Sequence, residues 1–179
     1  IHNQLIDLLK EYTIIGGMPA AVLSWVTERS LQNTNKIHHD LLSTYKDDFS
    51  KYRGRISLER LHEVLNATPQ CLGQKFIYSK VNAQTNSNTI KQALVLLSKA
   101  KICTQVVSCA ANGVPLAAEI NEKYFKVIFL DVGLTCSALG LSLTKLNSLE
   151  ELILVNKGAL AEQVVGQLLR TISPASVEP

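Results

Sequence analysis

Acidic side chains are absent from the middle of this 179-residue chain, where no Asp or Glu occurs between Val64 and Ala118. The same 55 residues contain five lysines, whereas the flanking segments have nearly balanced charge. A surface without carboxylates does not repel phosphates, and its lysines can release counterions from a nucleic-acid backbone. Five lysines in 55 residues is also an ordinary number, which requires no nucleic-acid ligand to explain it. The window lacks arginine, the better bidentate ligand of guanine and phosphate, which argues against strong sequence-specific contacts.

Several motifs that would indicate catalysis or a bound cofactor are also lacking. The chain has neither the G-x-x-x-x-G-K-S/T sequence of a phosphate loop nor a G-x-G-x-x-G dinucleotide motif. Its four cysteines form no C-x-x-C pair and have no matching histidine pair, so we expect reduced and mostly buried thiols rather than zinc or disulfides. We therefore predict no catalytic residues, no metal and no cofactor in this fragment.

The longest apolar runs are far shorter than the roughly 18 to 20 residues that span a bilayer, and no basic-then-apolar leader opens the chain. These features predict a cytoplasmic protein without membrane contact. The chain begins at Ile1 with no initiator methionine, which indicates an excerpt of a longer protein or a processed product.

The clearest pattern is an amphipathic helix followed by an apolar strand. Residues 89–101 predict a helix with one buried stripe, formed by Ile90, Ala93, Leu94 and Leu97. Ser87 or Asn88 can cap its first turn. Residues 102–108 and 114–120 flank the turn-forming pair at 112–113, which favours a β-hairpin.

The segment before this helix supplies two more helices. Ser57 can cap a helix with an apolar stripe, which we expect to end at Thr68-Pro69 and to contain Leu58, Leu61, Val64 and Leu65. Residues 71–78 favour a second short helix or turn. Helix, short helix, helix and hairpin is the order of a winged helix-turn-helix.

In that architecture the third helix enters the major groove of duplex DNA with its N-terminal residues toward the bases. The nucleic-acid-binding residues predicted on this basis are Lys75, Lys80, Thr85, Asn86, Ser87, Asn88, Lys91, Gln92 and Lys99. A loop rich in Asn, Ser and Thr also simply caps helices and forms turns. Winged helices serve in protein contacts too, so a protein-interaction or regulatory module is the alternative.

The first 53 residues predict three helices that can share a core. Leu5, Leu8, Leu9 and Tyr12 form a stripe that stops at Gly16-Gly17, and Pro19 suits the start of the next helix, to about Thr27. A third helix, from about Gln32 or Asn35 to Tyr52, has its apolar face at Ile37, Leu41, Tyr45, Phe49 and Tyr52. His38 then falls on the solvated side. His38-His39 and Asp47-Asp48 suggest a metal site, but neighbouring helical residues diverge by about 100°, which favours plain surface.

Residues 125–130 form an almost unbroken apolar run, which predicts a strand buried on both faces and ended by Gly133. Asp131 follows this strand. An acid there can be catalytic in α/β enzymes, but we expect Asp131 to cap the next helix.

Five motifs in order, over roughly residues 12–165, carry a resemblance to a known family. They are Tyr12-x-x-x-Gly16-Gly17-Met18-Pro19, residues 45–52, Lys75-Phe76-x-Tyr78-Ser79, Gly113-x-Pro115-Leu116 and residues 125–134. Together they resemble the domain of unknown function that follows the ATPase module in prokaryotic AAA-type ATP-binding proteins.

The resemblance implies an ATPase domain upstream of Ile1, with ATP and magnesium bound there, and that domain as a partner of this chain. It also implies that residues 148–170 open a restriction-endonuclease-like segment, in which Glu162 matches one acid of a magnesium cluster. The other members of that cluster would lie beyond Pro179, so Glu162 is the remnant of an incomplete site. From the residues alone, Ser148-x-x-Glu151 is a capping box and Glu162 a polar position on an apolar helix.

We therefore expect a mainly α fold with a small β component (α+β). The expected domains are a helical segment linking to the ATPase domain (1–53), a winged helix (54–133) and the start of a nuclease-like α/β segment (134–179). The predicted function is that of an accessory, DNA-binding region of an ATPase.

Overall fold

The computed structural model describes residues 2–52, 56–113, 116–141 and 158–172. Within these ranges the chain is mainly helical, with one two-stranded antiparallel sheet, as the α+β prediction requires. The helices are α1 (His2–Ile15), α2 (Pro19–Glu28), α3 (Leu31–Asp48), α4 (Leu58–Ala67), α5 (Tyr78–Val81), α6 (Ser87–Lys99), α7 (Val132–Ala138) and α8 (Ala159–Leu169), and the strands are β1 (Cys103–Cys109) and β2 (Ile120–Phe129). Short 3₁₀ turns occupy Phe49–Tyr52, Pro69–Cys71 and Leu116–Glu119.

Helix α6 lies at the centre of the main core. Its predicted stripe is confirmed, because Ile90, Ala93, Leu94 and Leu97 are all buried. The stripe packs in one cluster with side chains from α4, from the turn after α3 and from both strands: Phe49, Leu61, Val64, Leu65, Phe76, Ile102, Cys103, Phe125, Val127, Phe129 and Leu134. Spacing at i, i+3, i+4 and i+7 therefore identified the side of α6 on which the core forms.

Two helix caps test the local predictions. Ser57 caps α4 as expected, with its hydroxyl accepting from the backbone N–H of Arg60. The cap of α6 was predicted one or two residues too late, since Asn86 accepts from the N–H of Asn88 at 2.8 Å. Leu58 was wrongly assigned to the buried stripe of α4; it lies in the first turn and is 40% exposed, whereas Leu61, Val64 and Leu65 are buried.

The segment between α4 and α6 differs from the prediction in its boundaries. The short helix α5 begins at Tyr78, where the helix or turn predicted over residues 71–78 ends. Before it, the chain is held beside β2, because the N–H of Phe76 donates to the carbonyl of Phe125 at 2.9 Å. Residue 76 thus reaches the sheet on the way from α4 to α5.

The hairpin was predicted with the wrong second strand. β1 pairs with residues 120–129 rather than with the strand predicted at 114–120, whereas the strand predicted at 125–130 is confirmed as the second half of β2, where Phe125, Val127, Ile128 and Phe129 are buried. Residues 116–119 instead form a 3₁₀ turn, while residues 114–115 lie outside the described ranges. The physical reason is burial: Phe125, Val127 and Phe129 contribute core side chains that a strand at 114–120 does not have.

The pairing of β1 with β2 is interrupted once. Val107 lies opposite Phe125 and Ser108 lies opposite Asn121, so the three residues between Asn121 and Phe125 have no counterpart in β1. Such a bulge bends a strand and redirects its side chains. Here it places Glu122, Lys123 and Tyr124 at the edge of the hairpin.

The first helix does not bury the stripe that its sequence suggested. Leu5, Leu8 and Leu9 are 59%, 61% and 41% exposed, whereas the last turn of α1, at Thr13 to Ile15, is buried. The contact with α7 is made near the end of α1, where Tyr12 packs against the cluster that contains Val132 and Cys136, and the Sγ of Cys136 donates to the carbonyl of Thr13. The prediction for α2, from Pro19 to about Thr27, is confirmed within one residue.

His38 on α3 was predicted to be solvated, and this was wrong. It is 2% exposed, and its Nε2 lies 3.0 Å from the carbonyl oxygen of Ile15. The buried side of α3 runs through Thr34, His38 and Phe49, with Tyr45 half-buried. The prediction followed the apolar residues of α3, which form a neighbouring stripe. It missed the buried side because a histidine and a threonine occupy the most buried positions.

Asp131 caps α7, as predicted, and does more than that. Its Oδ1 accepts from the N–H of Leu134 at 3.1 Å, and its Oδ2 accepts from the N–H of Gly17 at 2.7 Å and from the side-chain amide of Gln167 at 3.0 Å. The carboxylate is 2% exposed. It therefore ties the turn between α1 and α2, the start of α7 and helix α8 to the end of β2.

Helix α8 is joined to β2 by glutamine side chains. Gln163 is fully buried, and its amide accepts from the N–H of Phe129 at 2.8 Å and donates to the carbonyl of Phe129 at 2.9 Å. Glu162, one residue earlier, forms an ion pair with Lys126 at 2.7 Å. Ser148 and Glu151 lie outside the described residues, so the capping box and the nuclease-like segment stay predictions, as does the division into three domains.

Replacing Gly16 by alanine is expected to destabilise the fold strongly. Gly16 has φ +70°, and a Cβ added there would lie 2.1 Å from Oδ1 of Asp131. Gly140 is a matched control, because its φ is +67° and no described atom lies within 4 Å of an added Cβ. We expect Gly140→Ala to lower the free energy of unfolding by about 1 kcal/mol, and Gly16→Ala to lower it by about 1–3 kcal/mol more. Equal losses in denaturant unfolding would contradict this role of Asp131.

His38 should make stability depend on pH. Burial lowers the pKa of His38 from its usual 6.5, although the hydrogen bond to Ile15 and the charge of Asp131 partly oppose the shift. As the pH falls through 6.5 the unfolded chain takes up the proton first, so the free energy of unfolding decreases. We expect the stability advantage over His38→Gln to shrink from pH 7.5 to pH 5 in urea unfolding. The exposed neighbour variant His39→Gln should behave like the wild type, and a pH-independent effect of His38→Gln would refute the assignment.

Candidate nucleic-acid interface

The nine residues predicted to bind nucleic acid do not form one surface. Lys75 and Lys91 line a common groove, whereas Lys99 lines a different one. Lys80 is exposed on α5, and four residues near the start of α6 are exposed as well: Asn86, Ser87, Asn88 and Gln92. Thr85 is half-buried in the turn before them. The structure therefore separates the predicted set into a groove, a helix start and two outlying lysines.

The groove runs between the start of α6, the residues around α5 and the hairpin. It has a volume of about 780 Å³. Three lysines line it, Lys75, Lys91 and Lys123, together with Glu122 and Gln105. The remaining lining residues are apolar or aromatic: Phe76, Ile77, Tyr78, Val107, Ile120 and Phe125. Among these lining residues, lysines outnumber carboxylates by three to one.

Lys91 faces the groove because of its position on α6. Residues seven apart lie on nearly the same face of a helix, so Lys91 shares a face with Ser98. Ser98 accepts a hydrogen bond from the amide of Gln105 on β1 at 3.3 Å. This contact turns the face toward the sheet, and Lys91, two turns earlier, lines the groove with Val107 and Ile120 of the hairpin.

Lys123 is the functional candidate that the sequence prediction missed. It lies outside the acid-free window, beside Glu122, in a stretch of balanced charge. The bulge in β2 directs it to the groove, and no local sequence signal identified that bulge. The ammonium of Lys75, from the segment before α5, lies 4.7 Å from the centroid of the ring of Tyr124 on β2, in a cation–π arrangement.

The floor of the groove contains an aromatic cluster. The rings of Phe76 and Phe125 stack with centroids 5.7 Å apart, and the ring of Tyr78 lies 5.9 Å from each of them. Phe76 and Phe125 are buried, while Tyr78 is half-buried. Burial raises the pKa of the Tyr78 hydroxyl above its usual value. Tyr78 is thus a fixed aromatic surface that the groove presents to solvent.

Lys99 and Lys80 have other surroundings. Lys99 lines an apolar groove of about 300 Å³ between α6, α4 and Phe49. Lys80 lies near Cys71, whose pKa is raised by burial and lowered in part by that lysine. Neither lysine lines the larger groove. The lysines of the acid-free window therefore do not all lie on the same surface of the protein.

Two side-chain hydrogen bonds fix the start of α6 and the turn before it. The side chain of Asn86 caps the helix, and the side-chain amide of Asn82 donates to the carboxylate of Glu63 at 3.1 Å. The acid-free window of the sequence therefore has a carboxylate next to it in space. The exposed Ser87, Asn88 and Gln92 retain their side chains for contacts with a ligand.

Within the described ranges, no group of three or more His, Cys, Asp or Glu side chains is placed to hold a metal ion. The four cysteines form no disulfide; Cys103 and Cys136 are buried, and burial together with the charge of Asp131 raises the pKa of Cys136 to about 12. No helix in the described part of the chain is long and apolar enough to cross a membrane.

Comparison with known protein families gives one result. Residues 6–145 match the model of a family described as a domain of unknown function (DUF8612). The chain belongs to this family. The matched range contains every residue that lines the groove, as well as Asp131, and it ends before α8. The identification of an uncharacterised domain is therefore confirmed, while its link to AAA-type ATPases stays a prediction. Comparisons with curated proteins and with solved structures gave no significant match.

Proposed function

We propose that this chain is a winged-helix module that binds nucleic acid through the groove between α6 and the hairpin. The observation that carries the proposal is the convergence of Lys75, Lys91 and Lys123 on that groove from three separate parts of the chain. Charges that lie far apart in sequence but meet on one surface favour a common anionic ligand.

The order of elements supports the winged-helix assignment. Helix α4 is followed by residues that bond to β2 at Phe76, then by α5, α6 and the two paired strands. In winged helices the third helix contacts the duplex and the hairpin contacts the adjacent backbone. Here α6 would be that third helix, and the paired strands β1 and β2 would form the wing.

The chemistry of the groove favours contact with phosphates over recognition of bases. Lysine is a compact, flexible cation, whereas arginine gives the bidentate contacts that distinguish guanine. None of the lining residues is an arginine. We therefore expect salt-dependent binding with little preference for sequence.

The family resemblance of the motifs suggests where such a module works. We propose that it is the accessory region of a cytoplasmic, prokaryotic AAA-type ATPase, with the ATP- and magnesium-binding domain upstream. Four of the motif residues, Gly16, Gly17, Asp131 and Gly133, meet at one buried contact and serve folding. Their occurrence is therefore explained without a ligand, and the groove is left to carry the activity of the module.

A protein-interaction module is the second candidate, and the hairpin supplies the observation in its favour. Val106, Val107, Ile120 and Tyr124 are 49%, 40%, 43% and 45% exposed. Exposed apolar side chains that cluster on one element are typical of protein contacts. An upstream ATPase domain or another protein could cover them, and such binding would depend little on salt.

Neutralising two groove lysines should weaken duplex binding in a salt-dependent way. We expect Lys91→Gln combined with Lys123→Gln to reduce the slope of log affinity against log salt by about 2, because two phosphate contacts are lost. Lys80→Gln combined with Lys99→Gln is the matched control, since it removes the same charge outside the groove. Fluorescence anisotropy with a labelled duplex measures both. Salt-independent affinity would favour the protein-interaction alternative, and equal losses in the two double variants would show that the groove is not the binding surface.

Removing the groove carboxylate should have the opposite effect. Glu122 is the acid among the described residues that line the groove, and it repels a phosphate there. We expect Glu122→Gln to tighten duplex binding a few-fold at low salt in the same assay, with the gain disappearing at high salt. Asp40→Asn, an equal charge change on the exposed surface of α3, should have no such effect. Unchanged affinity in Glu122→Gln would place the ligand elsewhere.

A further inference from the structure

We infer that the groove takes an unpaired stretch of nucleic acid, such as a single strand or the frayed end of a duplex. This inference rests on the proposed function and specifies its ligand. The juxtaposition that carries it is a half-buried tyrosine and an exposed valine, Tyr78 and Val107, inside a groove lined by three lysines.

The shape of the surface is the first argument. A duplex presents phosphates on its outside and keeps the faces of its bases stacked within, so a protein reaches it with protruding helices and wings. A concave site of about 780 Å³ with an apolar floor is not filled by phosphates. Its volume lies within the range of about 300–1,000 Å³ that is usual for pockets that enclose small ligands.

The floor is the second argument. Tyr78 packs against both Phe76 and Phe125, which stack on each other, with centroid distances of 5.9 Å, so its ring is fixed before any ligand arrives. Val107, on β1, is 40% exposed and lines the same groove. An unpaired base exposes an aromatic face of its own, and stacking on aromatic side chains is the usual means of binding single strands.

Charge is the third argument. Lys75, Lys91 and Lys123 line the groove from three directions, and Glu122 is the carboxylate among the described lining residues. The phosphates that flank a stacked base would meet these lysines. An acidic peptide would meet them as well, but the aromatic floor under the cations favours a ligand that alternates flat bases with anions.

The groove offers little for the recognition of particular bases. The amide of Gln105 already donates to Ser98 at 3.3 Å, which occupies one of its donor sites. The other uncharged lining side chains are apolar apart from the hydroxyl of Tyr78. Binding should therefore be tolerant of sequence, as expected where stacking dominates.

Two neighbouring valines allow a sharp test. Val106 and Val107 are both exposed, but successive strand residues point to opposite faces, and only Val107 is among the residues that line the groove. In anisotropy titrations of the 179-residue chain with a labelled oligothymidine and with a blunt duplex, we expect Val107→Glu to weaken single-strand binding at least about tenfold. Val106→Glu should leave it within about twofold. Thermal unfolding of both variants checks that the fold is retained.

A second pair of variants tests the stacking itself. Tyr78→Phe keeps the ring and should retain single-strand affinity, whereas Tyr78→Leu keeps an apolar floor without a ring and should weaken it at least about fivefold. The blunt duplex should respond less to Tyr78→Leu than the oligothymidine does. Loss of both ligands to the same extent would indicate a general effect on the fold and would overturn the inference.

The outcomes separate this inference from the proposed function. Duplex binding that depends on Lys91 and Lys123, without oligothymidine binding or without sensitivity to Val107→Glu, would refute the inference and leave the proposed function intact. Failure of both nucleic acids to bind would refute both. A synthetic peptide of alternating Glu and Phe that displaces the oligothymidine at equal or lower concentration would assign the groove to a protein partner and overturn the inference.

Discussion

The buried carboxylate of Asp131 is the contact on which the arrangement of the chain depends. Removing a carboxylate from water is costly unless hydrogen bonds replace its hydration, and here three donors do so, from Gly17, Leu134 and Gln167. These donors belong to separate parts of the chain. Because each donor must be present for the carboxylate to be satisfied, the turn after α1, the start of α7 and helix α8 are fixed together at the end of β2.

Strand β2 connects this contact with the candidate interface. Its last residue, Phe129, is bonded to Gln163 beside the Asp131 contact, while its bulge directs Lys123 into the groove. One end of the strand is therefore buried and fully hydrogen-bonded, and the other is exposed and charged. This division places four motif residues, Gly16, Gly17, Asp131 and Gly133, in contacts that hold the fold at one end, while the motif residues Lys75, Phe76 and Tyr78 line the groove at the other.

Local signals in the sequence predicted local structure well. The buried stripe of α6, the cap at Ser57 and the cap at Asp131 depend only on residues within a few positions of one another, and all three are confirmed. Predictions that depend on distant partners were wrong. His38 is buried because the carbonyl of Ile15, 23 residues away, accepts a hydrogen bond from its Nε2, and β1 pairs with the strand that can supply Phe125 to the core.

The groove illustrates the same limit for function. The acid-free window includes Lys75 and Lys91, which line the larger groove, but it also includes Lys99, which lines another groove, and it excludes Lys123. The charges that lie close in the sequence share a surface only where strand pairing and bulges direct their side chains to the same side. The same holds for the apolar residues that line the groove. Val107 is an apolar residue that no sequence signal singled out, yet its pairing with Phe125 places it in the floor of the groove. In the proposed complex a base would stack on the aromatic ring there, and its phosphates would contact the lysines.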